Sequence, residues 1–217
     1  MYKMKKLVYP VVCVLGLTGC WGHKKEYDPI SQVVTAPVKT DARVLGIVVS
    51  EPGLYDGFLD KGFGLSGQSG GIFVKTDKIE SFNRGDQVEV EGVVADLYSM
   101  TVLQAKTVTL ISDKQGIKPQ ITELGSSSLN KSHIGKLIRL QGKMEKMIPE
   151  LPYGWRLQVI SDAGQNVKVM ISSTSQIEPR GDVRYTKSAA VTIIGFGVAF
   201  KDEMFILPRD SQDIVFL

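Results

Sequence analysis

From Asp41 to the C-terminus, apolar residues recur with the period of strands. Ala42-Arg43-Val44-Leu45-Gly46-Ile47-Val48-Val49, Gly71-Ile72-Phe73-Val74 and Gln87-Val88-Glu89-Val90-Glu91-Gly92-Val93-Val94 are short runs rich in β-branched residues, which pack well on a pleated, half-buried surface. In the last run Val88 and Val90 fall on one face while Gln87, Glu89 and Glu91 face water. That alternation predicts a half-buried antiparallel strand. Gly92 inside it predicts a bulge or sharp coil of the kind that closes a small barrel, and Asn83-Arg84-Gly85-Asp86 supplies the turn before it.

A second set of strands repeats the pattern. Ile134 to Gly142 resembles the first strand of the first set, and Trp155 to Ile160 with Val167 to Ile171 predicts a hairpin across Asp162-Ala163-Gly164-Gln165. Val191-Thr192-Ile193-Ile194-Gly195 mirrors Val88 to Gly92, at a spacing of about a hundred residues that means two tandem domains rather than a solenoid. Each set ends in a closing strand, Val102 to Ile111 and Met204 to Phe216, and no stretch has a helical period of useful length. The prediction is an all-β chain of two five-stranded Greek-key barrels, residues 41–113 and 132–217. Residues 114–131, with Gly116, Pro119 and Ser126-Ser127-Ser128, form the expected linker.

The N-terminus follows different rules. Lys3, Lys5 and Lys6 precede an apolar run from Leu7 to Leu17, too short for a span of about 20 residues but suited to the core of a signal peptide. The next residues, Leu17-Thr18-Gly19-Cys20, resemble the bacterial lipobox. The resemblance implies cleavage after Gly19 and transfer of diacylglycerol to the Cys20 thiol, with further acylation such as palmitate. It also implies a lipid-anchored envelope protein, sorted to the outer membrane if the cell is Gram-negative, since Trp21 rather than Asp follows the cysteine. Residues 20–40 lack either period and contain Pro29 and Pro37, so they are expected to form a tether.

Removing the signal changes the charge. The full chain has 26 Lys plus Arg against 23 Asp plus Glu; without Lys3, Lys5 and Lys6 the balance is 23 against 23. Proteins that neutralise many phosphates carry a basic excess, so nucleic-acid binding would need a local patch. Cys13 leaves with the signal and Cys20 takes lipid, so no disulfide is expected.

Gly71-Ile72-Phe73-Val74, Arg84 to Val94 and Leu103-Gln104 together resemble the OB-fold region of secreted bacterial nucleases of the endonuclease/exonuclease/phosphatase class. The likeness is good over residues 41–113 and loose over 132–217, where Gly142, Gly195 and Leu207 to Ile214 carry it. It implies OB-like barrels without the catalytic domain. Only His23 and His133 are present, His133 reads as a solvated or capping residue, and no zinc-spaced pair exists. The acids Glu51, Asp56, Asp60, Asp202 and Glu203 read as solvated turn residues, a weak calcium site being the alternative. Gly62-Phe63-Gly64-Leu65-Ser66-Gly67 matches a dinucleotide-binding string but is followed by a strand rather than a helix, so a barrel loop is expected.

An OB barrel binds ligands on its second and third strands and on the loops between strands one and two and four and five. Those positions are Tyr55, Phe58, Lys61, Phe63, Lys75 and Tyr98 in the first barrel, and Tyr153, Trp155, Arg156 and Lys168 in the second. Rings beside basic groups suit stacking on unpaired bases; equally, such rings roof barrels. The leading expectation is a non-catalytic lipoprotein that binds a protein or glycan partner, without cofactor or metal. The alternative is a single-stranded nucleic-acid-binding lipoprotein linked to extracellular DNA uptake or degradation. An enzyme fits worst, because no acid, base, nucleophile and metal set can be assembled.

Overall fold

The predicted strands close into rings. The structure is a computed structural model that describes residues 26–77, 82–112 and 119–217; the signal segment, the lipobox and Cys20 lie outside the described residues. After a one-turn helix α1 (Ile30–Val33) come β1 (Asp41–Val48), β2 (Gly62–Gly67), β3 (Gly70–Lys75), β4 (Gln87–Leu97) and β5 (Met100–Ser112). They form a closed barrel in the order β1-β2-β3-β5-β4, antiparallel throughout except for the parallel β3–β5 pair. Then follow β6 (Ile121–Glu123), β7 (Leu137–Glu150), β8 (Gly154–Ser161), β9 (Asn166–Ser172), β10 (Ala190–Phe200), β11 (Glu203–Leu207) and β12 (Ile214–Phe216). Their sheet runs β12-β10-β11-β9-β8-β7-β6, and a further β10–β7 pairing joins β7 through β11 into the same ring, again with one parallel pair, β9–β11. The fold is all-β and OB-like in both halves.

Register confirms the internal repeat. Val88 lies opposite Gly46 and Gly92 opposite Ala42; Val191 lies opposite Gly142 and Gly195 opposite Ile138. The β4–β5 register shifts at Glu91/Gly92, as the mid-strand glycine predicts. A Cβ on Gly92 would sit 2.4 Å from Gln104 O, so only glycine allows that approach.

Three expectations change. The glycine-rich string is not a loop: Gly62–Gly67 is β2, paired along its length with β3. The described part of the tether is docked, with Ile30 and Val33 only 2 and 3 % exposed in the barrel-1 core and Asp28 N–H donating to Arg43 O at 2.7 Å. The described part of the linker, residues 119–131, likewise belongs to barrel 2: β6 pairs in parallel with β7, and Leu124 N–H donates to Arg139 O at 2.9 Å. Each repeat therefore has a lead-in segment that bonds to its first strand, at Arg43 of β1 and at Arg139 of β7. Neither lead-in shows periodicity because each contributes only two or three anchoring residues.

Apolar side chains form three clusters. One fills barrel 1 and one fills barrel 2. The third lies between them and draws Val49, Tyr55, Phe58 and Phe73 from the first half and Leu137, Phe196, Phe200 and Leu207 from the second. Each fully buried large apolar side chain contributes roughly 1.5–3 kcal/mol, so the barrels are joined by a core rather than strung on a linker. At one point the backbones themselves meet: a Cβ on Gly71 would lie 1.6 Å from Gly135 O.

Candidate functional site

The expected ligand-binding residues of barrel 1 divide into buried and exposed groups. Tyr55, Phe58 and Phe63 are 0, 2 and 0 % exposed, so none offers a ring face to a ligand. Phe63 lies on β2 inside barrel 1, edge-on to Phe82 at 4.7 Å. Tyr55 and Phe58 belong to the loop 49–61, which leaves barrel 1 and enters the junction with barrel 2. The Tyr55 hydroxyl donates to Leu207 O at 3.2 Å, its ring stacks on Phe196 at 6.2 Å, and burial pushes its phenol well above the ordinary range. Phe58 packs on Phe200 at 4.5 Å and on Phe205 at 5.3 Å. Sequence reasoning places these rings in the right loop and misses their direction, because an exposed and an inserted aromatic loop have the same composition.

Tyr98 remains at the surface, 40 % exposed, at the tip of the β4–β5 hairpin. Tyr98 and Ser99 both have positive φ, 52° and 70°, the two-residue turn that matches strand twist. Barrel 2 repeats this turn at Lys201 and Asp202, with φ of 50° and 65°. The two tips touch: Ser99 Oγ donates to Asp202 Oδ1 at 3.0 Å, and the Tyr98 ring meets Phe200 at 4.8 Å. Tyr153 joins the same cluster at 5.8 Å from Phe58 and 5.4 Å from Phe200, with Lys201 Nζ 5.7 Å from its ring centroid. Three of the expected residues, Phe58, Tyr98 and Tyr153, thus converge around Phe200, which sequence reasoning did not single out, while Tyr55 stacks on Phe196 in the same junction.

The remaining residues do not share a surface. Trp155 and Arg156 are adjacent on β8 and so point to opposite faces: Trp155 packs on the barrel-2 core under Arg180, whose guanidinium lies 5.4 Å above the ring. Arg156 turns away to an ion pair with Glu150 at 3.1 Å. Lys168 pairs with Glu203, and Lys75 pairs with Asp60 at 2.5 Å. Lys61 is exposed on the loop before β2. Most of these cations are matched by acids, which leaves little net positive field for a phosphate backbone.

Charge also ties the barrels together. Arg84 reaches Asp210 at 2.6 Å and Glu51 at 3.5 Å. Arg209 forks onto the buried Asp213 and donates to Val49 O at 3.3 Å. Burial pushes the Asp210 carboxyl up, but hydrogen bonds from Arg84 and the Gln212 amide outweigh it and leave the group below the usual carboxylate range. His133 is buried at 6 % exposure rather than solvated; it caps its turn, Nδ1 accepting from Asn130 N–H at 3.2 Å. Burial and nearby Lys136 keep its imidazole below the ordinary value, the backbone bond opposing them. Among the described residues no three His, Cys, Asp or Glu side chains group to hold a metal ion. Of the acids of the two turns, Glu51, Asp60, Asp202 and Glu203 are instead dispersed among Arg84, Lys75, Ser99 and Lys168.

No family model and no curated protein matches the chain. Among solved structures it is similar to the hypothetical protein ygiW from E. coli, at 17% identity and a TM-score of 0.33, over 40% of this chain and 90% of that one. It is also similar to the tetrameric p202 HIN2, at 11% identity and a TM-score of 0.37, over 83% and 92% of the two chains. The single-stranded DNA binding protein from Thermus aquaticus aligns at 13% identity and a TM-score of 0.26, over 84% and 94%. Likeness this low carries no function across; the OB-like assignment rests on this chain's own strand pairing.

Proposed function

We propose that the chain is a non-catalytic, lipid-anchored envelope module whose two barrels act as one rigid body that binds a protein or glycan partner. The observation that carries this reading is the use of the usual OB ligand loops within the molecule: Tyr55 and Phe58 are buried against barrel 2, and the two hairpin tips meet. A partner would then meet the outer surfaces of the joined barrels rather than the loops. The docked lead-in supports close anchoring, since seven residue steps separate Cys20 from Tyr27, a reach of at most roughly 25 Å from a lipidated cysteine.

Two measurements test it. Labelling with palmitate should tag the wild-type chain and not Cys20→Ser, which should also leave the membrane fraction; equal labelling of both would remove the anchor. Labelled single-stranded DNA should show no saturable anisotropy change at low salt. Binding that weakens with salt and is lost in Tyr98→Ala or Trp155→Ala would establish the oligonucleotide reading instead. That second reading rests on the exposed Tyr98 ring and on Lys201 beside Tyr153.

A further inference from the structure

Three hollows meet around the tip of the β2–β3 hairpin. The largest, about 580 Å³, lies between the lead-in at Tyr27 and Ile30 and the wall formed by Leu45 to Ile47 and Gln87. It shares Ser66 to Ser69 and Gln120 with a hollow of about 170 Å³. That one shares Ser69, Gly70 and Lys136 with a third of about 480 Å³, which opens between the barrels. The three adjoin through shared lining residues and line up from barrel 1 to barrel 2 as one candidate groove.

Its chemistry is graded. Along the barrel-1 stretch the polar groups are neutral apart from Asp28, chiefly the amides of Gln68, Gln87 and Gln120. At the barrel-2 end stand Lys131 and Lys136, among the hydroxyls of Ser31, Thr101 and Ser132. The single carboxylate in the three linings, Asp28, belongs to the far hollow, where it already accepts Arg43 N–H at 2.8 Å. Lys75, Lys106, Lys168 and Lys187 each pair with an acid; among the described residues neither Lys131 nor Lys136 has such a partner. Val34 and Ile134 add apolar surface between the polar groups.

Amides and hydroxyls complement sugar hydroxyls, small apolar patches complement sugar C–H faces, and unneutralised ammonium groups make charge-assisted hydrogen bonds to anions. We propose that the groove binds an acidic oligosaccharide, a carboxylate or phosphate held by Lys131 and Lys136 and its sugar hydroxyls lying along the glutamine wall. This inference rests on the binding-module reading and specifies the glycan class.

The test uses the full chain in detergent micelles, with fluorescent hexagalacturonate, neutral maltohexaose, mannose 6-phosphate, and vesicles of phosphatidylglycerol or phosphatidylcholine. Hexagalacturonate should bind saturably, at least tenfold more tightly than maltohexaose, and mannose 6-phosphate should compete. The Lys131→Ala/Lys136→Ala variant should lose at least tenfold while its thermal unfolding stays unchanged; Lys201→Ala should bind like wild type. Undiminished binding by the double variant overturns the proposal, as does binding confined to phosphatidylglycerol vesicles, which would mark a headgroup site. No binding of either charged sugar overturns it too. In that case a partner still cross-linked to the chain in the envelope would leave the module reading standing, and no cross-linked partner would remove both.

Discussion

Barrel 1 and barrel 2 share a ring order, a parallel closing pair and a left-handed hairpin turn, yet they use the loop between their first two strands in opposite ways. In barrel 1 residues 49–61 form a long loop that carries Tyr55 and Phe58 into the neighbour, at 0 and 2 % exposure. In barrel 2 residues 151–153 suffice, and Leu151 at their start is 84 % exposed. One barrel inserts and the other receives: Phe196, Phe200, Phe205 and Leu207 on β10 and β11 form the receiving wall. An aromatic loop on an OB scaffold is therefore not by itself a sign of base stacking. The same loop can bury its rings in a second barrel of the same chain, and there it contributes stability instead of a ligand face.

The largest expected effect comes from emptying that junction. Phe58→Ala should cost about 3–5 kcal/mol, and urea unfolding followed by far-UV circular dichroism and by Trp155 emission in a Trp21→Phe background should show one coincident transition. Two separated transitions would break the view that the barrels share a core. Leu151→Ala, the truncation in the short loop of barrel 2, should stay within about 0.5 kcal/mol of wild type. Next in size is Gly71→Ala, whose methyl group would collide with Gly135 O; about 3 kcal/mol or more should be lost because backbone must move. Gly164→Ala, with φ of +79° and open space around it, should lose only about 1 kcal/mol. Equal losses at the two glycines would mean that the close approach of the barrels is not stabilising.

Smaller effects sharpen the same contrast. A double-mutant cycle on Arg84→Ala and Asp210→Ala should give a coupling of about 0.5–1 kcal/mol, because both side chains are about a third exposed. The folded Asp210 carboxyl lies below its unfolded value, so this contribution is present above about pH 3.9 and is lost as pH falls through the folded value. Coupling that persists in strong acid would contradict the ion pair. The smallest effect belongs to His133, whose imidazole is also lowered on folding. The unfolded chain binds its proton first, so stability should decline as pH falls from about 6.5 through the lower folded value, and His133→Gln should flatten that decline in a denaturation series.

Much of the fold is legible in the chain. Val88 and Val90 alternating with charged residues predict β4, Gly92 predicts its bulge, and the echo at Val191 to Gly195 predicts a second barrel. Segments that lack a pattern are harder to read. β2 was obscured because Gly62-Phe63-Gly64-Leu65-Ser66-Gly67 has the composition of a loop; its glycines serve close packing, Gly64 lying where a Cβ would come 2.8 Å from Phe196. The two lead-ins were obscured because two or three residues on a neighbouring strand produce no period.

The candidate site divides along the same line. Local sequence determines which residues alternate, where a chain turns and which loops carry rings, because strand pleat and turn geometry are properties of a few consecutive residues. It thereby determined two OB-like barrels and the loops holding Tyr55, Phe58, Tyr98 and Tyr153. Only the tertiary structure decided that Phe58, Tyr98 and Tyr153 meet around Phe200, that Trp155 and Arg156 face apart, and that Lys136 lines a hollow with Gln68. Burial and charge pairing depend on which distant surfaces come together, and that is set by how one barrel packs on the other.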